Sequence, residues 1–164
     1  MNAARDLLIT GLRNAHAMER QAQELMERQS ERMTDFPSLQ AKCREHLQET
    51  KVHLSRVAEC LAKLGESPSA LKDTALAFGA NMAAMGHAMA GDEVLKNAFA
   101  NNAFENYEVA AYKSLIILSE QVGMGLTPAL QQNLREDERM AAWMADNVPA
   151  LTLEFLRKQQ RAAA

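Results

Sequence analysis

The chain has 164 residues, 48% of them hydrophobic and only 5% aromatic, with a formal net charge of -3. That length suits one domain with its own core, spanning 1–164. Lysine and arginine are mixed among aspartate and glutamate, so no basic stripe is available for nucleic acid. No stretch is long and apolar enough for a membrane.

Alanine, leucine, methionine, glutamate, glutamine and arginine dominate, and alternating runs of β-branched residues are missing, so the expected class is all-α. Arg5, Arg13, Glu19 and Arg20 interrupt any leader-like apolar run, which makes the cytoplasm the expected compartment. Cys43 and Cys60 fall on one expected helix, about 25 Å apart at the helical rise, and are expected as free thiols.

Helix 1 is expected over Ala3 to Arg32, with Leu8, Leu12, Ala15, Glu19, Ala22 and Met26 at core spacing. Glu19 interrupts that apolar face near its midpoint. A glutamate on a helix is ordinarily a solvated surface residue, so its position is the informative feature. The segment Thr34 to Ser38 ends the helix, with Pro37 placed for the first turn of the next.

Helix 2 is expected from Ser38 to about Leu64. Its stripe takes Leu39, Cys43, His46, Glu49 or Thr50, His53, Val57, Cys60 or Leu61, and Leu64. Glu49 and His53 stand at i, i+4, a spacing that lets carboxylate and imidazole reach one ion or each other. After Gly65 comes a less regular crossover, Ser69 to Ala90, holding His87 and the methionine-rich run Asn81 to Ala90. Methionines at helical spacing read as adaptable packing.

Helix 3 is expected from Glu93 to Val122. Its stripe runs Ala98, Asn102, Glu105, Val109, Tyr112 and Ile116, with Glu108 and Leu115 along the edge, so two acids face a core. The run Gly123 to Pro128 stops and restarts the chain. Helix 4 then carries Leu130, Leu134, Asp137, Ala141 and Met144, with Glu136 and Glu138 flanking the intruding Asp137 and able to take its place if the register shifts by one. Pro149 is expected to break it, leaving a short terminal helix over Ala150 to Arg157 in which Leu151, Phe155 and Leu156 pack down, and a frayed end from Gln159.

The midpoints of the four long helices fall at about residues 17, 51, 107 and 137, level with every intruding group if the helices pack as a bundle. Buried ionised carboxylates are costly unless protons or cations neutralise them. Oxygen-rich ligation with imidazole suits iron or manganese. The expectation is a dinuclear site, with Glu105 and Glu108 bridging and Glu19, Glu49, His53 and Asp137 flanking. Tyr112, one turn beyond Glu108, could hydrogen-bond a ligand but reads first as a packed tyrosine with a wet hydroxyl. A metal-free, proton-sharing polar core in a helical interaction protein is the alternative.

The stretches Ala17 to Gln21, Glu45 to Val57, Asp92 to Ala98 with Phe104 to Tyr112, and Asn133 to Met144 with Asn147 to Leu156 resemble the YciE/YciF-type ferritin-like proteins. The resemblance implies a dimeric ferritin-like four-helix bundle with a crossover between helices 2 and 3, an iron site and a link to bacterial stress responses. Matched by position, Glu19, Glu49, His53, Glu105 and Glu108 are the metal-site residues it implies. The chain departs from related di-iron proteins in placing Val52 three residues after Glu49 and Met140 three after Asp137, where those proteins carry histidine. It also lacks the cysteine-rich rubredoxin-like domain of rubrerythrin.

Overall fold

The computed structural model describes residues 3–68 and 93–164; the expected crossover, with His87 and the methionine-rich run, lies outside them. Four helices make up the described architecture: α1 (Ala3–Arg32), α2 (Pro37–Lys63), α3 (Glu93–Val122) and α4 (Thr127–Ala162). Among the described residues no helix is long and apolar enough to cross a membrane. The two cysteines are free and buried.

The hairpin turns follow local chemistry. Between α1 and α2 the chain turns through Met33 to Phe36, and Pro37 enters α2 in its first turn, where a missing N–H costs nothing. The other end of α2 closes with Gly65 at φ +73°, its N–H donating to the Ala62 carbonyl while Glu66 N–H reaches back to Leu61 at 2.9 Å. That paired pattern is a Schellman closure, and its left-handed residue favours glycine. Arg5 donates to the Leu64 carbonyl at 2.6 Å, tying the start of α1 to this end.

Two apolar clusters fill the ends of the bundle. One gathers Leu8 and Leu12 of α1, Val57 and Leu61 of α2, Leu115 and Ile116 of α3, and Leu130 of α4. The other gathers Met26, Leu39, Ala98, Met140 and Met144 with Phe36 and Leu151. The start of α1 therefore meets the end of α2, the end of α3 and the start of α4. Both short hairpins are antiparallel, and α2 runs parallel to α3, as a single long connection between them requires.

Two expectations are corrected. The helix does not break at Pro149: α4 runs through it to Ala162, so no separate terminal helix forms and the end is not frayed from Gln159. Pro149 and Ala145, whose carbonyl loses its helical donor, both lie on the exposed face, where that carbonyl meets solvent. Beyond the proline, Leu151 is buried and Phe155 stacks on Phe36 with ring centroids 6.5 Å apart, whereas Leu156 is exposed. On α3 the buried face is turned slightly from the expected stripe: Asn101, Phe104 and Glu108 are buried, while Asn102 and Val109 are only half-buried.

Candidate metal centre

Between the two apolar clusters lies a polar layer to which all four helices contribute. Glu19 of α1, His46 and His53 of α2, Glu105 and Glu108 of α3, and Asp137 of α4 are each at most 1% exposed. Their ligand atoms fall into two groups, each within 4.8 Å: His46, Glu105, Glu108 and Asp137 in one, Glu19, His53 and Asp137 in the other. Asp137 belongs to both.

Within the first group His46 Nε2 stands 3.2 Å from Glu105 Oε2 and 4.0 Å from Asp137 Oδ1. In the second, His53 Nδ1 stands 3.3 Å from Glu19 Oε1 and 3.4 Å from Asp137 Oδ1. These approaches lack hydrogen-bond geometry. Glu19 Oε2, His46 Nε2, His53 Nδ1 and both carboxylate oxygens of Glu105, Glu108 and Asp137 are buried without a hydrogen-bond partner among the described residues. A buried donor or acceptor left unmade costs about 1–3 kcal/mol, and more when charged, so nine such atoms in one layer are costly unless protons, water or an ion partner them.

Electrostatics point the same way. Burial, then the neighbouring acids Glu19 and Asp137, hold the Glu108 carboxyl well above its ordinary range. Asp137 is raised well above its own by burial, with Glu19 and Glu105 adding to the effect. Glu105 is raised by burial against the opposing pull of His46. Burial alone would lower His46, but the close negative charge of Glu105, the hydrogen bond to Glu49 and the charge of Asp137 together lift it to about 10. The layer is short of positive charge.

Each histidine is held from behind by a carboxylate. His46 Nδ1 lies 2.9 Å from Glu49 Oε2, and Glu49 in turn accepts from Arg139 at 2.9 Å. His53 Nε2 lies 2.8 Å from Glu136 Oε2, which also accepts from Arg56 at 2.6 Å. Such partners fix ring orientation and, by taking the outer N–H, leave the lone pair of the other nitrogen facing the centre. Glu136 itself falls to about 2, because hydrogen bonds from Arg56, Gln132 and His53 outweigh its burial. Tyr112 donates to Glu19 Oε1 at 2.5 Å and accepts from Asn133 at 2.8 Å, so its hydroxyl is buried behind a candidate ligand rather than wet, a correction to the first reading of it.

Five of the six expected metal residues thus meet in the layer: Glu19, His53, Glu105, Glu108 and Asp137. Glu49 does not; its side chain is 22% exposed and supports His46 from outside. The core position of that turn is Thr50, whose hydroxyl donates to the His46 carbonyl. His46 takes the inward place instead, and Asp137 rather than the Glu105 and Glu108 pair is the residue common to both groups. The seven-residue spacing of His46 and His53, two turns on one face, is the signal that marks both rings as inward.

The chain belongs to the family described as Domain of unknown function (DUF892), matched over residues 3–157. It is similar to a protein of known crystal structure from Xanthomonas campestris pv. campestris, with 26% identity and a TM-score of 0.82 over 97% of this chain and 99% of that one. It is also similar to YcfI from Rhodopseudomonas palustris, with 26% identity and a TM-score of 0.74 over 87% of this chain and 92% of that one. The E. coli stress protein YciF shares the fold at 20% identity and a TM-score of 0.77, covering 96% of this chain and 99% of that one. The likeness to YciE/YciF-type proteins drawn from the motifs therefore holds, as does the all-α four-helix bundle.

Proposed function

We propose that this chain is a ferritin-like metal-binding protein whose core holds two divalent ions, iron or manganese. The observation that carries this reading is the convergence of nine buried, unpartnered ligand atoms from four helices into two groups that share Asp137. The charge balance agrees: Glu19, Glu105, Glu108 and Asp137 bring four negative charges, which two divalent ions would neutralise while both histidines stay uncharged.

His46, Glu105, Glu108 and Asp137 would hold one ion, and Glu19, His53 and Asp137 the other. Bound iron or manganese would supply one-electron chemistry toward oxygen or peroxide, in keeping with a role in stress protection. The chain's own residues set the conditions. The apolar clusters on either side exclude bulk water, Glu49 and Glu136 aim the two rings, and Tyr112 holds Glu19 in place. Glu105, Glu108 and Asp137, with neither oxygen hydrogen-bonded, are the carboxylates free to shift when charge at the centre changes.

A metal-free core is the second reading, favoured by the 3.2 Å approach of His46 to Glu105, which suits an imidazolium beside a carboxylate. Elemental analysis of protein purified without a metal-binding tag separates the two. About two iron or manganese ions per chain, lost in a Glu105→Ala, Glu108→Ala double variant, is the expected result. Substoichiometric metal that ignores these substitutions, with reconstitution also failing, would leave the proton-sharing core in its place.

A further inference from the structure

The polar layer is closed along the bundle axis by the two apolar clusters, so an ion must enter from the side. The α1–α2 and α3–α4 hairpins pack closely, while α2 and α4 touch least of the four neighbouring pairs. Both outer carboxylates lie on that α2–α4 seam, and they are held very differently.

Glu136 is locked. Its side chain is 9% exposed and accepts from Gln132 and Arg56 while contacting His53, and Arg56 is pinned a second time by Asn133 at 2.9 Å. Glu49 is more open at 22%, and its cationic partner Arg139 is 56% exposed. Among the described residues, Arg139 makes beyond Glu49 a single further hydrogen bond, at 3.3 Å to the Arg135 carbonyl one turn back. An exposed ion pair of this kind contributes little and opens readily.

From Glu49 a continuous line of ligand-type atoms leads inward. Glu49 Oε2 is 2.9 Å from His46 Nδ1, and His46 Nε2 is 3.2 Å from Glu105 Oε2. When Arg139 swings into solvent, Glu49 keeps only its contact with His46. It then stands as a carboxylate without a cationic partner at the mouth of the seam, able to attract a cation that passes inward beside the His46 ring. We propose that the Glu49–Arg139 pair is the port through which metal ions exchange with the buried centre, with Arg139 as its gate. This rests on the reading of the layer as a metal centre.

The test is the rate at which Mn(II)-loaded protein loses its ion to excess chelator, followed by Mn(II) spin resonance, in wild type, Arg139→Ala, Arg139→Lys and Lys113→Ala. Lys113 pairs with Glu138 on the exposed surface between α3 and α4, so its loss removes the same charge away from the seam. Arg139→Ala is expected to bind as many ions as wild type but release them roughly fivefold faster, the factor that an exposed pair can contribute. Arg139→Lys is expected to restore most of the slow rate, and Lys113→Ala to match wild type.

Release from Arg139→Ala within about twofold of Lys113→Ala would overturn the port while leaving the centre standing. A fall in the number of ions bound by Arg139→Ala would overturn it too, by making the pair a support for His46 rather than a passage. A wild type that takes up no Mn(II) would overturn both the port and the metal centre.

Discussion

His46 and His53 lie two turns apart on α2, their ring centroids 6.0 Å from one another, and present opposite nitrogens to the same space: Nε2 from the first, Nδ1 from the second. The difference follows from where each outer carboxylate sits. Glu49 contacts His46 from the same helix, and Glu136 contacts His53 from α4.

The two rings are not equivalent, and their removal should show it. His53→Ala leaves only Glu19 and Asp137 on its side of the layer, so bound metal is expected to fall from two ions to about one per chain. His46→Ala leaves three carboxylates on its side, so two ions should remain, with affinity at that position falling roughly tenfold or more. Metal titration followed by elemental analysis measures both variants, and equal losses would contradict the asymmetry.

Asp137 belongs to both groups, so Asp137→Asn should reduce binding of both ions together. The same change removes one charge from a buried cluster of acids. In excess chelator the variant is therefore expected to be more stable than wild type near neutral pH, by about 1 kcal/mol or more. Denaturant unfolding with and without added metal measures both effects. A variant that is weaker in chelator than wild type would mean that Asp137 already has its counter-charge without an ion.

The dependence on pH should reverse when metal is added. Glu105, Glu108 and Asp137 hold their protons more tightly in the folded chain, chiefly through burial, so the metal-free protein loses stability as pH rises above their ordinary values of 4.5 and 3.8. His46 acts in the same direction: its contribution is complete below 6.5 and lost as pH climbs through about 10. Glu136 acts oppositely, contributing above 4.5 and losing that contribution as pH falls toward about 2. Metal-free protein should thus be most stable near about pH 5 and weaken toward pH 8, while Mn(II) should stabilise more at pH 8 than at pH 5 because its ligands must shed protons. Thermal unfolding at the two values, in chelator and in Mn(II), gives the four numbers needed.

Tyr112 is fully buried, and its hydroxyl serves Glu19 and Asn133 at once. Tyr112→Phe leaves both groups short of a partner and is expected to destabilise the fold by about 1–3 kcal/mol. Two ions should still bind, with affinity reduced about 10- to 100-fold as the orientation of Glu19 loosens. Unchanged affinity would show that Glu19 is positioned by its backbone alone.

The helices were legible because good helix formers run between sharp local stops, and the limits of α1 and α3 fall where the residues place them. Glu19, Glu105, Glu108 and Asp137 were legible because acids on an apolar stripe violate its pattern. Glu49 was not. In a stripe that admits either Glu49 or Thr50, and with His46 and Glu49 one turn apart, periodicity cannot say which side chain faces inward. Arg139 helps to decide it by holding Glu49 at the edge, ninety residues later on a different helix. Pro149 misled for a related reason: its cost depends on whether the lost hydrogen bond faces solvent, which is a property of the packed bundle.

The layer of acids and histidines divides the apolar interior into two separate pieces, one around Leu12 and Leu61, the other around Leu39 and Met144. Stripped of ions, the layer is the least cohesive part of the bundle, and the two halves should open as distinct cooperative units, visible as two populations of slowly exchanging backbone amides. On the proposed reading, bound ions would fasten the four helices at their common waist, and the same amides should then exchange together, at a single rate set by unfolding of the whole chain.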